Sequence, residues 1–332
     1  MTTLAAAGTS RPVDHEFFER ELASFVPDRI FDAHTHLWID GEVCFKVPGV
    51  EGSIGSDEYL RLMQDLHPGR RMAALFISFA MGDHPESADR INEWIGQQVA
   101  HHPDFRGEFF VRPDDDPEWV RQEVRRLGLH GLKCYHWFAP SKPSWEASIP
   151  EFLPERLVKV ADEEGWVITL HVVRSRACAD PDNLYWIRRY CETYPNMRLI
   201  LAHSARGFQP THNFEGLAAL QGLDNLYFDT SVNCDPLAHQ VVLRLFGPKK
   251  LMYGTDLPIS HHRGRSVAVA DSFLFLDDAM PIWKHNHATI EPVLLGLEHL
   301  RSVKWACWSE RLNDRDVEDI FWNNAAGLLG VS

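Results

Sequence analysis

The sequence predicts a single (β/α)8 barrel, in which eight parallel strands alternate with helices around one core. Eight short apolar runs recur along the chain, and stretches with helical character follow them. The runs are nearly continuous in apolar residues, which is typical of strands that helices cover on both faces. A length of 332 residues fits one large barrel or two ordinary domains. Because no linker, repeat or low-complexity segment divides the chain, we predict one domain over residues 1–332.

The predicted strands are spaced so that a helix fits between each pair. They comprise residues 29–37, 71–80, 105–113, 129–138, 166–173, 197–204, 225–232 and 251–258. The clearest helical patterns between them lie at residues 86–102, 116–129, 153–165 and 181–195, and a last helix is predicted at residues 314–330. Several of these patterns begin with Asp, Pro or Glu and end at Gly or Pro, as helix termini do.

Three segments exceed what a minimal barrel needs. Residues 1–25 form an N-terminal extension, residues 39–56 are expected to loop over the barrel mouth, and residues 259–312 form an insertion between strand eight and the last helix. Three tryptophans lie in this insertion, namely Trp283, Trp305 and Trp308. We expect them to pack the insertion down or to form a subunit contact, so a homo-oligomer is left open.

Composition and charge exclude several classes of protein. A net charge of −14 argues against nonspecific binding to nucleic acid or to an anionic membrane surface. No run reaches the roughly 18 apolar residues of a membrane span, and the first twenty residues show no secretory signal pattern. The six cysteines are scattered without a C-x-x-C pair, which favours reduced thiols. These features together predict a cytoplasmic enzyme-sized protein.

Metal-binding and charged side chains stand at or just beyond the ends of five predicted strands. His34 and His36 end the first strand two residues apart, so their side chains would share one side of it. The other candidates are Lys133 and His136 on strand four, His171 and Arg174 on strand five, His203 and Arg206 on strand six, and Asp256 on strand eight. All these strand ends meet on one rim of a barrel. Imidazole and carboxylate groups suit Zn, Mn or Fe(II), and the set predicts a metal site there.

The same motifs resemble those of a known family. The D-x-H-x-H pattern at residues 32–36, the histidines of strands five and six, and the GTD at residues 254–256 are similar to the amidohydrolase superfamily, in its amidohydrolase-related (amidohydrolase 2) branch. The closing sequence DIFWNNAAGLLG at residues 319–330 resembles the final helix of that branch. The resemblance implies a divalent metal bound by His34, His36, His171 and Asp256. It also implies that His203 lies close to the substrate as an acid/base or orienting group.

Lys133 bears on the number of metal ions. In dinuclear members of the superfamily, a strand-four lysine carboxylated by CO2 bridges two metals, and Lys133 occupies that strand. The resemblance favours one divalent ion instead, with zinc expected and manganese as the alternative. Lys133 would then pair with a carboxylate or with an anion of the substrate.

Further residues are candidates for binding a small anionic substrate. Arg174 lies three residues after His171, and Arg206 lies three residues after His203. Each arginine could hold a carboxylate through a bidentate pair, or pair with a surface acid instead. The remaining candidates near the mouth are Trp38, His136 and His262.

Three functions compete at this stage. The first is a metal-dependent hydrolase that cleaves a small, carboxylate-bearing lactone, amide or related C–O or C–N bond through a metal-activated water, with Asp256 as base. The second is a metal-dependent nonoxidative decarboxylase of a hydroxy-aromatic or enol-type acid. The third is a barrel that binds a ligand without catalysis. The intact set of candidate ligands argues against the third.

Overall fold

A computed structural model describes residues 9–42, 46–80, 86–285 and 288–332 of the chain. Its main sheet has eight parallel strands that neighbour one another in sequence order. They are β1 (Arg29–Thr35), β2 (Arg71–Ile77), β3 (Phe105–Phe110), β4 (Gly131–Cys134), β5 (Val167–Leu170), β6 (Arg198–Leu201), β7 (Leu226–Asp229) and β8 (Leu251–Met252). Each lies inside a predicted strand and ends earlier, because the polar residues that follow turn out of the ladder.

Backbone hydrogen bonds between β1 and the segment after β8 bring the two edges of the sheet together. Ala33 donates to the carbonyl of Tyr253 (2.8 Å), and His36 donates to the carbonyl of Leu257 (3.1 Å). The amide of Asp256 donates in turn to the carbonyl of His34 (2.7 Å). The eight strands thus form a nearly closed barrel, which confirms the predicted (β/α)8 fold. The same bonds hold Asp256 beside the two histidines of β1.

Helices surround the strands and bear out the sequence patterns. They are α1 (Pro12–Phe17), α2 (Ser56–Leu66), α3 (Ser87–Val99), α4 (Pro117–Arg126), α5 (Ile149–Phe152), α6 (Glu155–Glu164), α7 (Pro181–Thr193), α8 (Ala202–Arg206), α9 (Pro210–Gly216), α10 (Pro236–Phe246), α11 (Leu295–Ser309), α12 (Asp314–Glu318) and α13 (Asn324–Leu329). Asp116 and Asp180 cap α4 and α7 by accepting bonds from two backbone amides each. Gly165 ends α6 in the left-handed conformation (φ 69°), which glycine adopts without steric cost.

The last helix packs across β1 and β8. A π-helical turn, Asp319–Asn323, joins α12 to α13, so the predicted helix is continuous but locally wider. The ring of Trp322 lies edge-on to Phe31 of β1 (6.2 Å between centroids), and the amide of Tyr253 donates to the carbonyl of Ile320 (2.9 Å). This segment covers the seam where the barrel closes.

The predicted insertion begins with β-structure and ends in a helix. An antiparallel hairpin of β9 (Gly264–Val269) and β10 (Ser272–Asp277) follows β8, then the short pair β11 (Lys284–His285) and β12 (Ala288–Thr289), then α11. Trp305 and Trp308 on α11 are 55% and 63% exposed, so these two do not pack the insertion down as expected.

A buried ion pair ties the N-terminal extension to the insertion. Both oxygens of Asp14 accept bonds from Arg263 (3.1 and 2.6 Å), and the amide of Leu294 adds a third (2.9 Å). Residues 1–8 of the predicted extension lie outside the described residues. Within the described ranges, no helix is long and apolar enough to cross a bilayer.

Candidate metal centre

His34, His36 and Asp256 meet at the rim where the barrel closes. One potential ligand atom from each lies within 4.8 Å of the other two. The Oδ1 atom of Asp256 is 3.2 Å from Nε2 of His36 and 3.8 Å from Nε2 of His34. Asp256 has a left-handed backbone (φ 51°), a costly conformation for a residue other than glycine that is often found at functional sites. The group has the composition and closeness of a divalent metal site.

The hydrogen bonds of His34 and His36 leave Nε2 of each ring free to bind a metal. Nδ1 of His34 donates to Oδ2 of Asp229 (2.9 Å), and Nδ1 of His36 donates to the carbonyl of Ile77 (2.9 Å). Since both partners only accept, Nδ1 carries the proton and Nε2 keeps its lone pair. Metal-binding histidines characteristically donate their other ring N–H to a carboxylate or a carbonyl. The donor set therefore fits a bound metal.

Asp256 and His171 have the protonation states that ligands need. Burial by itself raises the pKa of Asp256, but the close contact with His36 and the nearby His203 and His34 outweigh it, so the pKa falls and the carboxylate stays ionised. Burial lowers the pKa of His171 well below its usual value, so its ring is neutral. Nδ1 of His171 is buried without a hydrogen-bond partner in the described part of the chain. His171 lines the same cavity but is outside the tight group of three.

His203 stands next to this group in an unusual backbone. Residues 203–206 all have φ between 50° and 60°, a left-handed turn that costs about 1–2 kcal/mol per residue other than glycine. Buried hydrogen bonds hold the turn: the amide of His203 donates to Oδ1 of Asp229 (3.0 Å), and Asn213 donates to the carbonyl of Ser204 (2.8 Å). Nδ1 of His203 donates to the carbonyl of Ser231 (3.0 Å) and lies 3.9 Å from Oδ2 of Asp256.

Lys133 lies deeper in the barrel than the rim. Its side chain is buried, lines the cavity and has no hydrogen-bond partner among the described residues. Glu108 on β3 lies near it. Burial raises the pKa of the Glu108 carboxyl to about 8, although the nearby Lys133 opposes this shift. Thr169 donates to one oxygen of Glu108 (2.8 Å). The sequence did not single out Glu108, which stands inside a strand between apolar residues.

The group of His34, His36 and Asp256, called the metal group below, opens into a cavity of about 510 Å³ with largely aromatic walls. The aromatic lining residues are Trp38, Phe79, Tyr135, Trp145, Phe208, Phe273 and Phe275. Phe273 and Phe275 come from the β9–β10 hairpin, and Phe273 stacks on Phe208 with centroids 4.5 Å apart. The hairpin of the insertion therefore covers one side of the mouth. Trp38 is a residue that the sequence predicts on this rim, whereas the contribution of the hairpin is evident only from the structure.

Arg206, a predicted substrate-binding residue, lines this cavity. Its guanidinium carbon lies 4.1 Å from the ring centroid of Trp145 and 5.6 Å from that of Phe273. One of its nitrogens donates to the carbonyl of Arg174 (2.8 Å), and no carboxylate within the described ranges forms an ion pair with it. Burial lowers the pKa of Arg206 to about 10, so it remains charged at neutral pH.

The structure does not bring Arg174 to the cavity. Its side chain forms ion pairs with Asp180 (3.6 Å) and Asp182 (3.2 Å) at the start of α7, and Nε donates to the carbonyl of Ala147 (3.4 Å). Its backbone is left-handed (φ 69°), which turns the chain as β5 ends. The expected substrate contact is thus replaced by a local ion pair.

The two remaining predicted histidines occupy different places. His262 lines the cavity, and its Nε2 bonds to the carbonyl of Lys46 (3.1 Å) in the loop over the mouth. His136 is buried behind the wall, where Nδ1 lies 3.0 Å from Oγ of Ser144 and the ring packs on Trp145. His136 is not among the residues that line the cavity.

Two buried aspartates support the metal group. Asp32 accepts bonds from the amide of Thr255 (2.7 Å) and from the hydroxyl of Tyr59 (3.0 Å), and so fixes the turn that carries Asp256. Burial raises the pKa of Asp32 to about 7. Asp229, at the end of β7, is missing from the sequence-based set. Asp229 is a polar residue at the end of an apolar strand, and this is the same pattern that identified the other candidates.

Comparisons with known proteins agree with this architecture. The chain resembles crystal structures of an amidohydrolase from Burkholderia multivorans with bound Zn (14% identity, TM-score 0.59, 91% of this chain and 99% of that chain), and of a probable 2-pyrone-4,6-dicarboxylic acid hydrolase from Acinetobacter baumannii (12%, 0.56, 91% and 99%). It also resembles a dihydroxybenzoic acid decarboxylase from Polaromonas with bound manganese and the inhibitor 2-nitroresorcinol (17%, 0.56, 92% and 97%). No curated protein matches the chain. At these identities the likeness concerns the fold.

The family assignment rests on a match over nearly the whole sequence. A model of the amidohydrolase family matches residues 31–331, from the first strand of the barrel to the end of the last helix. The matched region includes every candidate ligand described above. The chain therefore belongs to the amidohydrolase family.

Proposed function

We propose that the protein is a metal-dependent hydrolase of a small, carboxylate-bearing lactone, amide or related ester-like compound. One divalent ion, zinc or alternatively manganese, would be held by His34, His36, His171 and Asp256. The observation that carries this proposal is the close group of His34, His36 and Asp256, with the Nε2 lone pairs of both histidines free, opening into a cavity that contains a charged arginine. The bound metals of two similar structures, Zn and Mn, support the choice of ion.

The residues around the metal group have the chemistry that hydrolysis needs. A divalent metal held at this place would supply Lewis acidity, which would polarise a carbonyl and lower the pKa of a water. The ionised Asp256 accepts the proton of the attacking water. His203, 3.9 Å away, passes a proton to the leaving group or stabilises the developing oxyanion. Arg206 binds the substrate carboxylate, and the aromatic walls exclude bulk water, which strengthens that pairing.

A second candidate, nonoxidative decarboxylation of a hydroxy-aromatic or enol-type acid, is favoured by one observation. Seven aromatic side chains line the cavity, and flat walls of this kind suit a planar ring. In this reaction His203 would protonate the ring or enol carbon as CO2 leaves. Both kinds of enzyme occur among the similar structures, as the 2-pyrone-4,6-dicarboxylic acid hydrolase and the dihydroxybenzoic acid decarboxylase.

One assay separates the two reactions. The zinc- and manganese-loaded protein is incubated with lactones, amides and hydroxy-aromatic acids in water enriched in oxygen-18. Incorporation of one labelled oxygen into the product without CO2 release supports hydrolysis. Release of CO2 without label in the remaining product supports decarboxylation. A metal-loaded protein that turns over no member of the panel would favour a binding function instead.

Substrate charge gives a further expectation, based on Arg206. We expect Arg206→Met to raise KM for a carboxylate-bearing substrate by roughly ten- to a hundredfold, since losing a hydrogen bond to a charged group typically costs about 1.5–3 kcal/mol. Steady-state kinetics measures this. Arg174→Met is the matched control and should leave KM unchanged, because Arg174 pairs with Asp180 and Asp182 outside the cavity. Equal KM in both variants and wild type would contradict anion binding by Arg206.

A further inference from the structure

Asp229 joins the metal group to His203 through its two carboxylate oxygens. The residue ends β7, is fully buried and does not line the cavity. Oδ2 accepts the Nδ1–H of His34 at 2.9 Å. Oδ1 accepts the backbone amides of His203 and Ser231, both at 3.0 Å, together with the hydroxyl of Ser231. One carboxylate therefore contacts a candidate metal ligand on one side and the candidate acid/base on the other.

The bond to His34 fixes both the tautomer and the orientation of that ring. Because a carboxylate accepts and does not donate, Nδ1 must carry the proton and Nε2 must face Asp256 with its lone pair. An anionic acceptor also makes the imidazole a better electron donor. Outer partners of this kind typically contribute 10- to 100-fold to metal affinity.

Oδ1 of Asp229 orients His203 both directly and through the hydroxyl of Ser231. Oγ of Ser231 lies 2.9 Å from Nδ1 of His203 and donates its own proton to Asp229, so it can accept the Nδ1–H of His203. The carbonyl of Ser231 accepts the same proton at 3.0 Å. The amide of His203 binds Asp229 directly and anchors the left-handed turn at φ 58°. Nδ1 is thus held as a donor, which leaves Nε2 to exchange protons.

The placement of these donors argues against a purely structural role. Burying a carboxylate costs free energy that good partners must offset. All four partners of Asp229 lie on His34, His203 or the adjacent Ser231. No lysine or arginine in the described part of the chain forms an ion pair with it. A carboxylate placed only to stabilise the fold has no need of those particular partners.

We propose that Asp229 is a positioning residue that sets the tautomer of His34 and the orientation of His203, and so couples metal affinity to proton transfer. This inference rests on the proposed function of the site. Asparagine cannot replace it on both sides, because its amide has one oxygen and one NH2 group. Whichever way the amide turns, the NH2 group faces a donor, either His34 or the amides of His203 and Ser231.

The test compares variants at three consecutive residues, Asp229, Thr230 and Ser231, by their zinc affinity and their kcat. Asp229→Asn should weaken zinc binding ten- to a hundredfold, measured by competition with a chromophoric chelator, and should lower kcat at saturating zinc. Ser231→Ala should keep the zinc affinity of the wild type while kcat falls roughly tenfold, since the hydroxyl contacts to His203 and to Oδ1 of Asp229 are lost but the bond from His34 to Oδ2 remains. Thr230→Val is the matched control: its buried hydroxyl has no partner in the described structure, so neither quantity should change.

Wild-type spectra provide a measurement that does not depend on how well a variant folds. Histidine-selective 15N spectra of the protein, recorded with and without zinc and assigned through His34→Gln and His203→Gln, should show Nδ1–H for both rings. An Nε2–H tautomer at His34, a wild-type zinc affinity in Asp229→Asn, or a wild-type kcat in Ser231→Ala would each overturn the proposal. Failure of the proposed function looks different. It would appear as a wild type that binds no metal or turns over no substrate, and the tautomer spectra would still decide the role of Asp229.

Discussion

Replacing His34 with alanine is expected to remove the bound metal and the activity together, while the barrel stays folded. Nε2 of His34 faces Asp256, and the ring is buried, so water cannot easily take the place of the lost ligand. The loss of affinity should exceed the roughly 10- to 100-fold that removal of an outer partner costs. His36→Ala and His171→Ala should behave in the same way. Metal analysis after dialysis, with far-UV circular dichroism for folding, measures the result.

The wild type should carry about one equivalent of Zn or Mn per chain, because the four proposed ligands His34, His36, His171 and Asp256 would complete a mononuclear site. His136→Ala is the control, since this buried histidine of the same rim does not line the cavity and should keep its metal. Retention of metal in all three ligand variants would contradict the site. Two equivalents together with a carboxylated Lys133 would instead support a dinuclear centre.

The barrel and its rim could be predicted because both depend on local patterns. Buried parallel strands are largely apolar along their length, and in β2 all six residues from Met72 to Ile77 are apolar and buried. The residues that break such a pattern at a strand end are those that leave the ladder and face the cavity. His34, His36, His171, His203 and Asp256 all line it. Strand order then brings residues that are far apart in sequence to one place.

Side-chain direction could not be predicted from spacing. Arg174 and Arg206 follow candidate histidines by the same interval, yet only Arg206 lines the cavity. The two aspartates at the start of α7 pair with Arg174. Arg206 instead lies between Trp145 and Phe273, which come from separate loops. The outcome depends on contacts with residues 61 and 67 positions away in the sequence, and no local pattern records them.

The contribution of the insertion to the cavity wall could not be predicted from the sequence, for a related reason. Residues 264–277 alternate little between apolar and polar, so a hairpin over the mouth was not evident. Among the described residues its strands pair only with each other, and their outer residues Val269 and Leu274 remain exposed. Phe273 and Phe275 reach the cavity because Phe208 provides a ring for them to pack on. That partner belongs to a different loop of the barrel.

His203→Ala should separate catalysis from metal binding. The variant is expected to keep its metal, because Nδ1 of His203 donates to the carbonyl of Ser231 and His203 is not among the four proposed ligands. It should lose about 10²–10⁴-fold in kcat, the usual contribution of a positioned acid or base. The physical basis is the fixed ring: Nδ1 donates to the carbonyl of Ser231, the amide is bonded to Asp229, and the ring lines the cavity beside Asp256. Metal analysis and single-turnover rates measure the two quantities separately.

Added imidazole provides the control for His203→Ala. The substitution leaves a space beside the cavity in which free imidazole can bind and exchange a proton, so part of the lost rate should return in proportion to its concentration. His171→Ala should show no such recovery if it has lost its metal. Loss of metal from His203→Ala would identify His203 as a ligand and strengthen the dinuclear alternative. A rate close to that of the wild type would mean that this buried ring only supports the left-handed turn at residues 203–206.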